Sequence, residues 1–193
     1  MPAPGELRFR TAEQGDAQAI AALHTDSWQR HYRIAYSDAF LDDEAPGFLL
    51  GLWTGRLAAP DPGHRTILAE LDQADGGRAL VGVAHTVLDD HPAWGALLDN
   101  LHVRYGLKRQ GVGTRLLGLT AQAVLAARPG SGLYLWVLER NAGARAFYEA
   151  RGGTCVESVE VLPPGGDPAR LKGKPKGLRY TWPDPASLLI DRS

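Results

Sequence analysis

Residues 107–117, "LKRQGVGTRLL", set two glycines between basic residues and an apolar run. A strand ending near Val103, a short loop and a helix starting at about Gly111 aim the unpaired N–H groups of the helix's first turn at one point. Such a start carries roughly half a positive charge and takes an anion wherever side chains leave the approach open. Gly111 and Gly113 have no side chains, so the stretch reads as a phosphate cradle, with tight packing of a helix on a sheet as the competing reading. Two better-known phosphate loops do not fit. Gly106 and Gly111 have the Walker spacing, but Val112 and Gly113 follow where Lys and Ser or Thr are required, and the dinucleotide fingerprint needs glycine at Leu116. The loop also follows a hairpin instead of opening a βαβ unit.

Outward from this stretch the chain reads as alternating strands and helices. "ELRFR" predicts an opening strand, and a helix follows from about Asp16 to Arg30, with Thr11 and Gln14 placed for a capping box. "SDAFLDD" and "PGFLLGLW" read as two short helical pieces, capped by Ser37 and started by Pro46. "RTILAEL" and "ALVGVAHTVL", joined by "DQADGGR", predict an antiparallel hairpin, and "WGALLDNLHVRYG" a third strand. Residues 111–127 put Val112, Leu116, Leu119 and Ala123 on one helical face, ended by Pro129 and Gly130. "LYLWVL" is short and wholly apolar, as a central strand is. "NAGARAFYEARGG" reads as a helix capped by Asn141 and stopped at Gly152 and Gly153; "TCVESVEV" and "LRYTW" then form a long-looped hairpin around a flexible Pro/Gly/Lys segment. The order β, αα, βββ, α, β, α, ββ gives a mixed sheet with helices on its faces, α/β or α+β in class.

The 193 residues fit a single domain, 1–193, with 44% hydrophobic and 22% charged residues, a globular composition. A net charge of −1 offers no broad field for nucleic acid or anionic membrane, and no apolar run approaches the roughly 18 residues that span a bilayer. "MPAPGELRFR" lacks a secretory apolar region, so a cytoplasmic location is expected. The lone Cys155 has no metal-ligand neighbours, so no metal is expected, and it reads as a small buried hydrophobe in preference to a reactive thiol.

"LDNLHVRYGLKRQGVGTRLL" (98–117) resembles the GNAT superfamily of N-acetyltransferases, whose signature is Arg or Gln, two residues, Gly, any residue, then Gly or Ala. Lys108, Arg109, Gln110, Gly111, Val112 and Gly113 span it, with Thr114 next and Lys108 standing where Arg or Gln is usual. "LYLWVLERNAGARAFYEARGG" resembles the family's second segment through Asn141, Phe147 and Tyr148, with Gly153 where an aromatic is common. The resemblance implies a GNAT-like, mostly antiparallel sheet of about seven strands flanked by helices on both faces. It also implies acetyl-CoA as cosubstrate, its pyrophosphate on residues 109–114 and its pantetheine arm along Leu101, His102 and Val103, with Asn141 nearby. An acetyl group would pass to a small-molecule or peptide amine by direct attack in a ternary complex.

By the same resemblance Tyr148 is the candidate acid for the leaving thiolate, a half-buried packing tyrosine being the alternative. Asp99 is the candidate base; His102, with an ordinary pKa of about 6.5, and a water chain are the others. Strand alternation places Asp99 with Leu101 and Val103, opposite Asn100 and His102, unless a bulge intervenes. Trp28, His31, Tyr32 and Tyr36 gather where the family walls its acceptor pocket, or pack as core. Lys172, Lys174 and Lys176 either meet an acidic group or are solvated, and a homodimer through the late strands is one arrangement open to the chain. The reading from another class is a non-catalytic acyl-CoA-binding module, and a nucleotide-phosphate binder is the third.

Overall fold

The computed structural model describes residues 5–107 and 110–189. Strands β1 (Leu7–Thr11), β2 (His64–Asp72), β3 (Arg78–His91), β4 (Gly95–Val103), β5 (Leu133–Leu138), β6 (Thr154–Glu160) and β7 (Lys176–Trp182) form one sheet, ordered β1-β2-β3-β4-β5-β7-β6. Neighbours are antiparallel except β4 and β5, which run parallel because α3 (Val112–Ala127) crosses over between them. The seven-stranded, mostly antiparallel sheet with helices on both faces is the one expected.

Helices α1 (Ala17–His31) and α2 (Ala45–Ala58) cover one face, where Ile20, Phe40, Leu49 and Trp53 pack with Leu68 and Val83. On the other, α3 and α4 (Ala142–Glu149) bury Leu116, Ala121, Val124 and Tyr148 against Leu133, Leu135 and Tyr180. The buried stripe of α3 is Val112, Leu116, Leu117, Thr120, Ala121 and Val124, while the expected Leu119 and Ala123 are half-buried. The helix is turned because the short turn Pro185–Leu188 also packs on it, burying Leu188 in the same core.

Several local expectations are corrected. The reciprocal cap before α1 is Glu13 with Asp16, not Thr11 with Gln14; Arg10 of β1 grips the Asp16 carboxylate with two 2.7 Å hydrogen bonds and fixes the turn there. The two helical pieces after α1 are one run, since a wide turn at Phe40–Glu44 leads straight into α2. Ala45 donates back to Phe40 in that turn, and Pro46 follows in the first turn of α2, where its missing N–H costs nothing. Cys155 is exposed, because β6 is an edge strand that no helix covers. The 161–175 loop is pinned rather than flexible. Tyr36 bridges Leu171, the Ser37 N–H donates to Arg170 at 2.9 Å, and the Arg170 guanidinium bonds Glu44 at 2.6 Å over the Phe40 ring. No described helix is long and apolar enough to cross a membrane.

Gly153 stands where an aromatic was expected because Trp182 fills that space: a Cβ at 153 would lie 2.6 Å from Trp182 Cζ2 and 3.0 Å from the Tyr148 carbonyl oxygen. Gly153→Ala therefore overpacks the junction of α4 and β7. It should cost about 1–3 kcal/mol, a drop of several degrees in Tm by calorimetry, whereas Gly143→Ala, whose Cβ meets nothing within 4 Å, should leave Tm unchanged or raise it.

Candidate active site

β4 and β5 pair only at Ala96 with Leu133 and Leu97 with Tyr134. Pairing stops where β4 bulges: Leu98 faces Thr86 and Asn100 faces His85, leaving Asp99 as the extra residue. A bulge bends and twists its strand. Beyond it the two strands diverge, and a cavity of about 980 Å³ lies between Leu98–Val103 of β4 and Leu135–Val137 of β5. The start of α3, the length of α4 and the end of α1 complete its wall.

At the α3 end, Gly111 takes a left-handed φ of 81°, and no side chain caps the helix. The first intrahelical bond is from the Arg115 N–H to the Gly111 carbonyl at 2.9 Å, so the amides of Val112, Gly113 and Thr114 have no partner within the helix. The two glycines do different things. A Cβ on Gly111 would meet nothing within 4 Å, so its requirement is the backbone angle; a Cβ on Gly113 would lie 3.3 Å from Phe147 Cζ, so that glycine admits α4. Phe147 in turn carries the Arg151 guanidinium 3.8 Å from its ring centre, and Arg151 bonds Thr114 Oγ1 through Nε at 3.0 Å. A fixed positive charge thus stands at the helix start. Arg151 was not singled out from the sequence; its i+4 spacing from Phe147 on the same helix was the available signal. Lys108 and Arg109 lie outside the described residues. Gln110 is exposed and outside the cavity wall, and the Val112 side chain is buried in the core, leaving only its backbone for a ligand.

Tyr148, 8% exposed, reaches the cavity from α4 with its ring against Phe147, Tyr180 and Trp182. Burial raises its pKa above the ordinary tyrosine value, which keeps the hydroxyl protonated. Asn141 lines the same wall and caps α4, its Oδ1 accepting the Ala144 N–H at 3.2 Å. The bulge turns Asp99 toward α2, away from the face of Leu101 and Val103 that alternation predicted. Its carboxylate accepts a 2.6 Å bond from Arg56 Nη2, while Arg56 Nη1 bonds Asn100 Oδ1 at 2.8 Å. Arg56 is the second residue the sequence did not mark.

His102 lines the cavity, and its ring enters the α1 side, Nδ1 lying 2.9 Å from Ser27 Oγ and the ring 4.1 Å from that of His24. Burial is the main cause holding its pKa down to about 4. His24 accepts the Trp53 indole N–H on Nδ1 at 3.1 Å, and burial, then the neighbouring His102, lowers its pKa well below normal. His85 is held to about 3, again by burial first. Of the aromatic group near the end of α1, His31 and Tyr32 line the cavity, whereas Trp28 and Tyr36 are core.

A cavity between diverging parallel strands, with a glycine-started helix at one end, is the geometry the two motifs implied. The model of the acetyltransferase (GNAT) family matches residues 17–153, more than half of the chain. The chain belongs to the GNAT acetyltransferase family. A probable N-acetyltransferase of Mycobacterium tuberculosis is 26% identical over 156 residues, 77% of this chain and 80% of that one. Among solved structures, the PaiA N-acetyltransferase of Thermoplasma acidophilum in complex with coenzyme A is 15% identical and aligns with a TM-score of 0.66 over 92% of this chain and 99% of that one. A spermidine N-acetyltransferase of Vibrio cholerae is 17% identical, with a TM-score of 0.61 over 91% and 92%. What this GNAT chain shares with the last two is the fold.

The three buried histidines make stability depend on pH. Folded, they resist protonation; unfolded, they take protons near 6.5, so stability is full above that value and falls as pH drops through 6.5 toward 4. Each contributes a slope of up to about 1.4 kcal/mol per pH unit in that window. Urea unfolding should give a flat midpoint from pH 7 to 8 and a steady fall from 6.5 to 4.5, and His102→Gln should shallow the fall.

Proposed function

We propose that this chain transfers the acetyl group of acetyl-CoA directly to an amine in a ternary complex. The observation that carries the reading is the continuity of the cavity, which runs from the open amides of α3 along the unpaired edge of β4 to Tyr148. The pyrophosphate sits on the helix start, held by the open amides of Val112, Gly113 and Thr114 and by the Arg151 guanidinium beside Thr114, while the part of Lys108, Arg109 and Gln110 rests on the motif. The pantetheine amides pair with Leu101, His102 and Val103 as a missing strand would, next to Asn141.

In the reaction the amine lone pair attacks the thioester carbonyl carbon, and a β4 backbone N–H donates to the oxygen that becomes negative. The C–S bond then breaks and the sulfur leaves with a proton from Tyr148. The hydroxyl is protonated at neutral pH and reaches the cavity, as a proton donor to the leaving sulfur must, and the phenolate regains its proton from water. The proton lost by the amine leaves through water to Asp99 at the cavity wall. His102, held to about 4 by burial, turns its ring away into the α1 side against Ser27 and His24.

Tyr148→Phe keeps the ring packing and removes only the hydroxyl, which bonds no described residue. Turnover measured as CoA release across an amine panel should fall by about 10²-fold or more while acetyl-CoA affinity by calorimetry stays within about twofold. Unchanged turnover would remove Tyr148 as the acid. Gly111→Val forces a β-branched residue into a left-handed angle and should instead weaken acetyl-CoA binding.

A further inference from the structure

The end of the main cavity away from α3 opens beside a second one. A pocket of about 280 Å³ lies between the segment after α1, the end of β5 and the pinned loop before β7. Ile34 and Arg140 line both spaces, so the two share a wall. Lys172, Lys174 and Lys176 complete the small pocket's cationic lining, opposed there only by Glu139. Two of the four cations are engaged: Lys172 bonds Asp38 at 2.7 Å and Lys174 lies 3.6 Å from Glu160. Lys176 and Arg140 are exposed and pair with no described acid. The walls are already in place, because the Lys172 N–H donates to the Ala35 carbonyl at 2.8 Å and the Glu139 N–H to that of Lys176 at 2.9 Å.

The main cavity has the same bias. Its only described carboxylate is Asp99, already bonded by Arg56. A polyamine entering here finds no free described acid in that cavity, whereas a carboxylate or phosphate at the side pocket finds two cations that pair with no described acid, against the single carboxylate of Glu139. We infer that the acceptor is an amine that also carries an anionic group, and that Arg140 and Lys176 hold this group in the side pocket while the amine reaches the thioester. This rests on the transferase reading above and names its substrate class.

The test pairs kinetics with direct binding. With acetyl-CoA saturating, ω-amino acids of two to five carbons, their amides, the matching aminoalkylphosphonates and the matching diamines are compared. The anionic members should exceed amides and diamines in kcat/KM by about tenfold or more, the carboxylate and phosphonate arms showing which anion fits. Arg140→Gln with Lys176→Gln should erase that preference through the acceptor KM, leaving the acetyl-CoA KM within about twofold. Equal use of diamines or amides, or a rise confined to the acetyl-CoA KM, overturns the inference. Separately, inorganic phosphate and acetate are titrated by NMR against the Glu139 and Lys176 amides of the wild type and the double variant. Saturable shifts that weaken in the variant support the site; no shift in the wild type, or shifts undiminished in the variant, overturns it. Absence of turnover with every amine, while acetyl-CoA still binds, would instead defeat the transferase reading and leave the titration to decide the pocket.

Discussion

The parting of β4 from β5 after two residue pairs is the constraint on which the rest of the structure depends. A sheet interior ordinarily satisfies its backbone groups by pairing every strand, and leaving Leu98–Val103 open toward β5 exposes polar backbone in the middle of the molecule. The sheet stays whole because apolar cores on both faces bridge the gap. Leu133, Leu135 and Tyr148 join Leu98 in the core under α3 and α4, and Leu138 joins Val83 and Leu68 under α1 and α2. Packing, not hydrogen bonding, carries the two halves of the sheet across the opening, which frees the strand edge for a ligand.

The bulge at Asp99 links that opening to its chemistry. Pairing with β5 ends at this extra residue, which also brings Asp99 to the α1 and α2 side that Asn100 and His102 face. That side is then polar beneath the strand: Arg56 reaches Asp99 and Asn100, and the neutral rings of His102 and His24 lie tilted against each other below. The Nε2 atoms of His24, His85 and His102 are buried without a described partner, and a buried polar atom left so costs about 1–3 kcal/mol. A wholly apolar floor would fold more tightly, so these rings weigh against stability. Their neutrality at ordinary pH is what makes the arrangement tolerable.

Much of this was legible in the chain because it is local. Periodicity marked the helices and strands in order, Asn141 marked the start of α4, and Gly111 marked the start of α3, although the chain alone pointed to a cleared approach there and not to the left-handed backbone angle that the glycine serves. What was not legible depends on partners distant in sequence. A bulge exists only relative to the strand opposite, so nothing in "LLDNLHV" alone separates Asp99 from its alternation. Arg56 lies 43 residues from Asp99, and Trp182, which excludes a side chain at 153, lies on a strand reached only after a long loop. Cys155 looked buried because a lone cysteine on a strand ordinarily packs as a small hydrophobe, and only the sheet order shows that strand to be an edge.

The two glycines of the opening motif show why a short pattern carries a family further than it carries a substrate. Gly111 answers to backbone geometry and Gly113 to the approach of Phe147, and both demands arise from joining α3 and α4 around one cavity mouth. Any chain built this way meets those demands, whatever amine it receives. The charges at the opposite end obey no such demand. Arg140 sits on a turn, Lys172 and Lys174 on a loop and Lys176 at the start of β7, and the bonds that join these segments, from Glu139 to Lys176 and from Lys172 to Ala35, run through main-chain atoms alone. Side chains there are free to differ between relatives of one fold. A spermidine acetyltransferase at 17% identity therefore shares this chain's architecture without constraining the sign of its acceptor, and in the substrate class inferred above that sign is set by the cationic lining.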